Sequence, residues 1–164
     1  METNKTDLRS YGVDLTKGRA YESISYVLAL VYNCLQAQVG DYLAKYGLNT
    51  VQFNILMLAA YKNNGKGLSQ VDMAEHLIAS ASNITKLVEK SVRAGLLSRR
   101  TNPQSRRENI ICITARGQKL IDKVWPGYDA LVRGLTEKIP SKNRKPFANI
   151  LRNWLIELHK EQPV

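Results

Sequence analysis

Residues 67–117 constrain this chain most, and they read GLSQVDMAEHLIASASNITKLVEKSVRAGLLSRRTNPQSRRENIICITARG. Ser69 followed by Asp72 is a capping signature, so a short helix starts there, with Val71, Met73, Ala74 and Leu77 as its buried side. The connection Ile78-Ala79-Ser80 leads to a second helix that Ser80 can cap and Gly95 can end. Ile84, Leu87, Val88, Ser91 and Val92 form its inward stripe at helical spacing. Two β-prone segments follow, 96–101 and 109–114, joined by the turn residues Asn102-Pro103-Gln104-Ser105. Helix, turn, helix and β-ribbon in that order describe a winged helix-turn-helix, which lays one helix in a DNA groove with the ribbon beside it.

Charge agrees with that layout. Residues 80–107 hold seven basic side chains (Lys86, Lys90, Arg93, Arg99, Arg100, Arg106, Arg107) against the single acid Glu89, a net +6. The whole chain carries +10 with a pI near 9.7. Such a balance favours an anionic partner, nucleic acid ahead of a membrane surface or an acidic protein.

The flanks are helical. Residues 1–18 read as a polar arm. A long helix is expected over 19–46, with Ile24, Val27, Leu28, Val31, Leu35, Val39, Tyr42, Leu43 and Tyr46 recurring at three and four and Gly47 closing it. Asn49 with Gln52 reads as a capping box for the next helix, whose apolar side is Phe53, Leu56, Met57 and Ala60. That helix ends in Asn63-Asn64-Gly65-Lys66-Gly67. Thr114 caps a fifth helix carrying Leu120, Ile121, Val124, Trp125, Tyr128, Leu131, Val132 and Leu135, and Pro126 predicts a kink near Val124–Trp125. A sixth carries Phe147, Ile150, Leu151, Trp154, Leu155 and Leu158; Pro146 fits its first position better than Ser141 fits its cap.

Other chemistries find little support. Cys34 and Cys112 stand 78 positions apart among apolar neighbours and read as small buried hydrophobes of a reducing cytosol, not as a redox switch. With only His76 and His159, no ligand spacing for a metal exists, so neither metal nor cofactor is expected. No nucleophile-base set, paired-carboxylate motif or phosphate loop is present, and the reading is not an enzyme. No apolar run has membrane-spanning length and the N-terminus lacks a signal-like apolar core, so the chain is expected in the cytoplasm, away from membranes.

In a helix-turn-helix the first turns of the second helix reach base edges. Here those residues are Ser80, Ser82, Asn83, Thr85 and Lys86, with Lys90 extending the basic side. Asn suits adenine, Lys reaches guanine, and the Thr methyl meets thymine. Ser80 is explained equally well as a helix cap. Arg106 and Arg107 lie near the ribbon tip, where a guanidinium can enter a narrow minor groove.

From residue 48 to 117 the chain resembles the MarR family of transcription regulators. The resemblance rests on Leu48-Asn49-Thr50-Val51-Gln52-Phe53, Leu68-Ser69-Gln70, Met73-Ala74, Thr85-Lys86-Leu87-Val88, Gly95-Leu96-Leu97-Ser98-Arg99 and Ile113-Thr114-Ala115-Arg116-Gly117. Ser105-Arg106-Arg107 departs from it, because Ser105 stands where the family has an Asp that orients the wing Arg. The resemblance implies a homodimer on a pseudo-palindromic duplex DNA site, a repressor in most members. It also implies, for many members, release by a small phenolic or amphipathic anion. Tyr32, Tyr46, Met57, Trp125 and Tyr128 could line such a ligand's pocket, or belong to the core. The family's peroxide-sensing cysteine would fall near Val27, not at Cys34.

The expected fold class is mostly α with a small β wing: a winged helix-turn-helix core with N- and C-terminal dimerisation helices. The expected divisions are 1–18 (arm), 19–47 (N-terminal dimerisation helix), 48–117 (DNA-binding domain) and 118–164 (C-terminal dimerisation helices). Apolar stripes on the first and last helices exceed what a domain of that size needs, which points to Ile24, Val31, Leu151, Trp154, Leu155 and Leu158 as a dimer interface. The alternative is a winged helix that binds protein without reading DNA sequence; it would not need Lys86, Lys90, Arg106 and Arg107 together.

Overall fold

The computed structural model describes residues 20–102 and 105–160, without the side chains of Ala20, Glu22, Gly65 and residues 105–108. The described residues form six α-helices and a three-stranded antiparallel sheet of order β1-β3-β2.

Helix α1 (Ala20–Ala44) buries Ser23 near its start and, of its apolar residues, only Val39 and Leu43 near its end. Gly47, at φ 71°, closes it: Leu48 N–H donates to the Leu43 carbonyl at 3.2 Å and Gly47 N–H to Ala44 at 2.9 Å. This paired arrangement uses the left-handed residue to satisfy the last carbonyls of the helix. Helix α2 (Thr50–Tyr61) is the centre of the core, burying Phe53, Ile55, Leu56 and Ala59. Asn49 caps it by accepting from Gln52 N–H at 2.7 Å, but the return half of the expected capping box is not formed. The Gln52 side chain goes inward instead and donates to Ser91 Oγ at 3.2 Å. After α2, Asn63 and Asn64 both adopt positive φ, which Asn tolerates better than most residues.

Strand β1 (Leu68–Ser69) is two residues long and leads into α3 (Gln70–Glu75), where Ser69 and Asp72 form the reciprocal capping box. Met73 is buried as expected; Val71, at 71% exposed, is not. Two residues along a helix turn the side chain by about 200°, so Val71 cannot share the face of Met73. Helix α4 (Ala81–Arg93) is capped by Ser80 and buries Ile84, Leu87, Val88 and Ser91. Its C-terminus repeats the α1 closure: Leu96 N–H donates to Ser91 and Gly95 N–H to Val92, both at 2.9 Å, with Gly95 at φ 69°.

Strands β2 (Leu97–Asn102) and β3 (Ser105–Ile113) form the ribbon, paired from Leu97↔Ile113 to Asn102↔Ser105. The return strand therefore starts at Ser105 rather than Asn109. Ser98, Arg99, Arg100 and Thr101 on β2 are all exposed, so the outer ribbon has no apolar alternation for sequence reasoning to find. The other edge of β3 carries β1, through Leu68↔Ile111 and Ser69↔Ile110.

Helix α5 (Ala115–Thr136) is capped by Thr114 and runs unbroken through Pro126. Near that proline Tyr42 Oη donates to the Val124 carbonyl at 2.8 Å, and a Cβ on Gly127 would collide with the same hydroxyl. The bond ties α1 to α5 within one turn of the proline; the carbonyl that Pro126 itself leaves without a helix donor is that of Asp122, four residues earlier. Helix α6 (Ser141–Lys160) begins five residues before Pro146. The start is stabilised by Asn143 N–H donating to Pro140 and by Arg144, which donates to the Ile139 and Glu137 carbonyls at 2.9 Å each. Pro146 is the sixth residue of the helix, past its first turn, so its ring and missing N–H act on the Lys142 carbonyl.

The core gathers Leu43, Phe53, Ile55, Leu56, Met73, Ile84, Val88, Ile111, Ile121 and Val124. Outside it, α6 buries no residue at all. Cys34 is exposed and Cys112 partly so, contrary to the expectation that both are buried: Cys34 lies on the part of α1 that its own domain leaves uncovered.

Candidate nucleic-acid interface

Helix α4 has two unlike faces. One is the apolar stripe packed on α2 and the sheet; the other presents Ser82, Asn83, Thr85, Lys86, Glu89 and Lys90 to solvent. Ser80 Oγ accepts from Asn83 N–H at 3.3 Å, so this serine does act as the cap, and the Asn83 side chain remains outside. Thr85 Oγ1 donates to the Ala81 carbonyl at 3.0 Å and accepts from Gln70 Nε2 at 3.3 Å. Gln70, at the start of α3, is thereby fixed against the exposed face of α4. The sequence marks it only as part of the Leu68-Ser69-Gln70 motif, with no contact of its own.

Among the described residues the ion pairs are Arg133 with Asp129 at 2.8 Å and Lys160 with Glu157 at 2.9 Å, both on α5 or α6. Lys86, Lys90, Arg93 and Arg99 take part in none. Arg100 is held differently, its guanidinium donating to the Lys66 carbonyl. Arg106 and Arg107 are the second and third residues of β3, beside the ribbon turn; their side chains lie outside the described residues.

Not every expected residue converges. Lys90 stands one turn beyond Lys86 and lines a cavity at the far end of α4. The five aromatic and Met candidates do not form one pocket. Tyr128 packs on Phe53 (4.8 Å) and Trp125 (5.6 Å) as core, Met57 lines an open groove with His76 and Leu77, and Tyr46 lines the cavity with Lys90. Tyr32 belongs to a small cleft near Thr50. Ile24, Val31, Leu155 and Leu158 are exposed, with Leu151 and Trp154 half-buried. Among the described residues no three His, Cys, Asp or Glu gather as metal ligands, and no helix is long and apolar enough to cross a membrane.

Residues 48–109 match the MarR family model. The HTH-type transcriptional regulator MhqR of Bacillus subtilis is 28% identical over 104 residues, covering 63% of this chain and 70% of that protein. A MarR-family transcriptional regulator from Rhodococcus sp. RHA1 superposes with a TM-score of 0.70 at 26% identity, over 88% of this chain and 97% of that one. The S. aureus MepR-DNA complex has the same fold, with a TM-score of 0.71 at 21% identity over 81% of this chain and 96% of that one.

Proposed function

We propose that this chain, a DNA-binding transcription regulator of the MarR family, represses by binding a pseudo-palindromic operator as a homodimer. One observation carries the reading at residue level: α4 is packed on one face and bears exposed polar side chains and cations without ion-pair partners among the described residues on the other. Asn83 and Lys86 read bases in the major groove, with Ser82 and Thr85 beside them. Arg106 and Arg107 enter the minor groove from the ribbon. MepR, of the same fold, was solved with DNA, which supports this use of the architecture.

The dimer reading draws on the uncovered stripes. Exposed Ile24 and Val31 on α1 and Leu155 and Leu158 on α6 would leave a large apolar surface wet in a monomer. A two-fold axis through both helices covers it and sets two copies of α4 about one DNA turn apart. A small organic anion acting on the dimer would release the operator.

Selection from a random duplex library with the purified protein tests the reading. Recovery of a two-fold symmetric site with half-sites about ten base pairs apart is expected. A protein that enriches no sequence, but captures a protein partner, would be a winged helix of the interaction type.

A further inference from the structure

The Thr85 hydroxyl is engaged within the protein at both its hydrogen and its oxygen. It donates to the Ala81 carbonyl at 3.0 Å, and the same oxygen lies 3.3 Å from Gln70 Nε2. With its single hydrogen used, Thr85 can only accept from Gln70, so the glutamine must present its NH₂ here. Thr85 is exposed and sits on the α3 side of the ridge formed by Ser82, Lys86 and Glu89, which follow one another at helical spacing.

Gln70 is itself held in place. It is the first residue of α3, directly after the reciprocal capping box of Ser69 and Asp72, and Ser69 pairs with Ile110 in the sheet. Its amide therefore reaches α4 from a backbone fixed by a helix cap and by a strand. Threonine in a helix divides between two χ1 rotamers, because its hydroxyl can bond a carbonyl of the preceding turn. Back-bonding of that kind is compatible with either, so the contact from Gln70 is what distinguishes them.

A hydroxyl that gives its hydrogen to Ala81 cannot donate to a base or a phosphate. The group that Thr85 offers an outside partner is its methyl, and the rotamer sets where that methyl stands. In the major groove the matching apolar group is the C5-methyl of thymine. We propose that Gln70 is a positioning residue for base reading: it locks Thr85 so that the methyl, not the hydroxyl, meets a thymine methyl. This role rests on α4 entering the major groove, and it gives α3 a part in the choice of sequence.

Two measurements test it. The first needs no DNA: three-bond couplings from the Thr85 γ-methyl carbon to its backbone nitrogen and carbonyl carbon, in the free full chain. A single rotamer is expected in the parent and averaged values in Gln70→Ala. Averaging in the parent, or no change in the variant, would overturn the lock. The second uses the operator recovered from the duplex library, with deoxyuridine replacing each thymidine in turn, which removes only the 5-methyl group. One symmetric pair of positions is expected to lose about fourfold in affinity per half-site, or about 0.8 kcal/mol, as for one buried methyl group.

Gln70→Ala should abolish most of that thymine preference. Thr85→Val should keep it, because valine has one strongly preferred helical rotamer without help from a neighbour, and Gln70→Ala/Thr85→Val should keep it too. Two DNAs are compared on one protein, so a general loss of fold or affinity does not move the ratio. An unchanged preference in Gln70→Ala would overturn the positioning role. So would its loss in the double variant, which would make Gln70 a base contact in its own right. A protein that prefers its operator yet tolerates deoxyuridine everywhere would overturn the part of the Thr85 methyl while base reading by α4 stood. Equal binding to all duplexes would end base reading itself, and this role of Gln70 with it.

Discussion

Gln52 Nε2 lies 3.2 Å from Ser91 Oγ, joining the start of α2 to the inner face of α4 across 39 residues of sequence. Both side chains are buried, so α4 is held by a polar tie within an apolar stripe. Ser91→Ala should strand the Gln52 amide and cost about 1–3 kcal/mol, whereas Gln52→Leu/Ser91→Ala should recover much of that loss because no orphan remains. Urea denaturation of the two variants decides it; a double variant weaker than the sum of the singles would contradict the account.

Tyr42 is the corresponding tie between α1 and α5. Burial, and next the Tyr46 hydroxyl 3.3 Å away, push its phenol from 10.0 up to about 12. The folded state thus favours the neutral form. Its contribution is complete below pH 10, where the unfolded chain keeps its proton too, and is lost as pH rises through about 12. Thermal melts between these limits should show a fall in stability that Tyr42→Phe lacks. Parallel loss in both proteins would assign the fall to other groups.

These two ties were not legible in the sequence, and the reason is common to both. Gln52 reads locally as the second half of a capping box, and Tyr42 as one more apolar member of a stripe; partners 39 and 82 residues away decide otherwise. Features set by neighbours were legible: the caps at Asn49, Ser69, Ser80 and Thr114, the glycine closures at Gly47 and Gly95, and the stripe Ile84, Leu87, Val88, Ser91. Short elements fell between. Six residues of α3 cannot establish a period, so Val71 was misplaced, and two residues of β1 carry no pattern at all. The start of α6 escaped because Arg144, not a cap at Ser141, satisfies the turn before it.

The wing is tested by Arg107→Ala and Arg106→Ala. Shape-dominated minor-groove contact should make the Arg107 variant lose affinity for many operator variants alike, with the slope of log affinity against log salt reduced by about one. Arg106→Ala should lose less. Unchanged binding by Arg107→Ala at about 150 mM salt, where surface charges are already screened beyond about 8 Å, would remove the wing from the interface.

For the dimer, Leu155→Glu is the direct probe. Leu155 is 53% exposed in the single chain, so a charge there should leave the protomer folded. It should separate the protomers if α6 is the interface, because an unpaired charge is costly to bury. Sedimentation should find folded monomers with weak operator binding; dimers as stable as the parent's would place the interface elsewhere. Removing residues 147–164 should give an insoluble or non-binding chain.

The central claim is that the exposed face of α4 reads bases, and it is tested most directly by Asn83→Ala and Lys86→Ala. Fluorescence anisotropy should be measured on the selected operator, on single-base variants of it and on random duplex. Each substitution is expected to cost about 1–3 kcal/mol on the operator, to cost less on random DNA, and to relax preference at particular base pairs. Equal losses on operator and random duplex, or none on either, would contradict base reading by this helix.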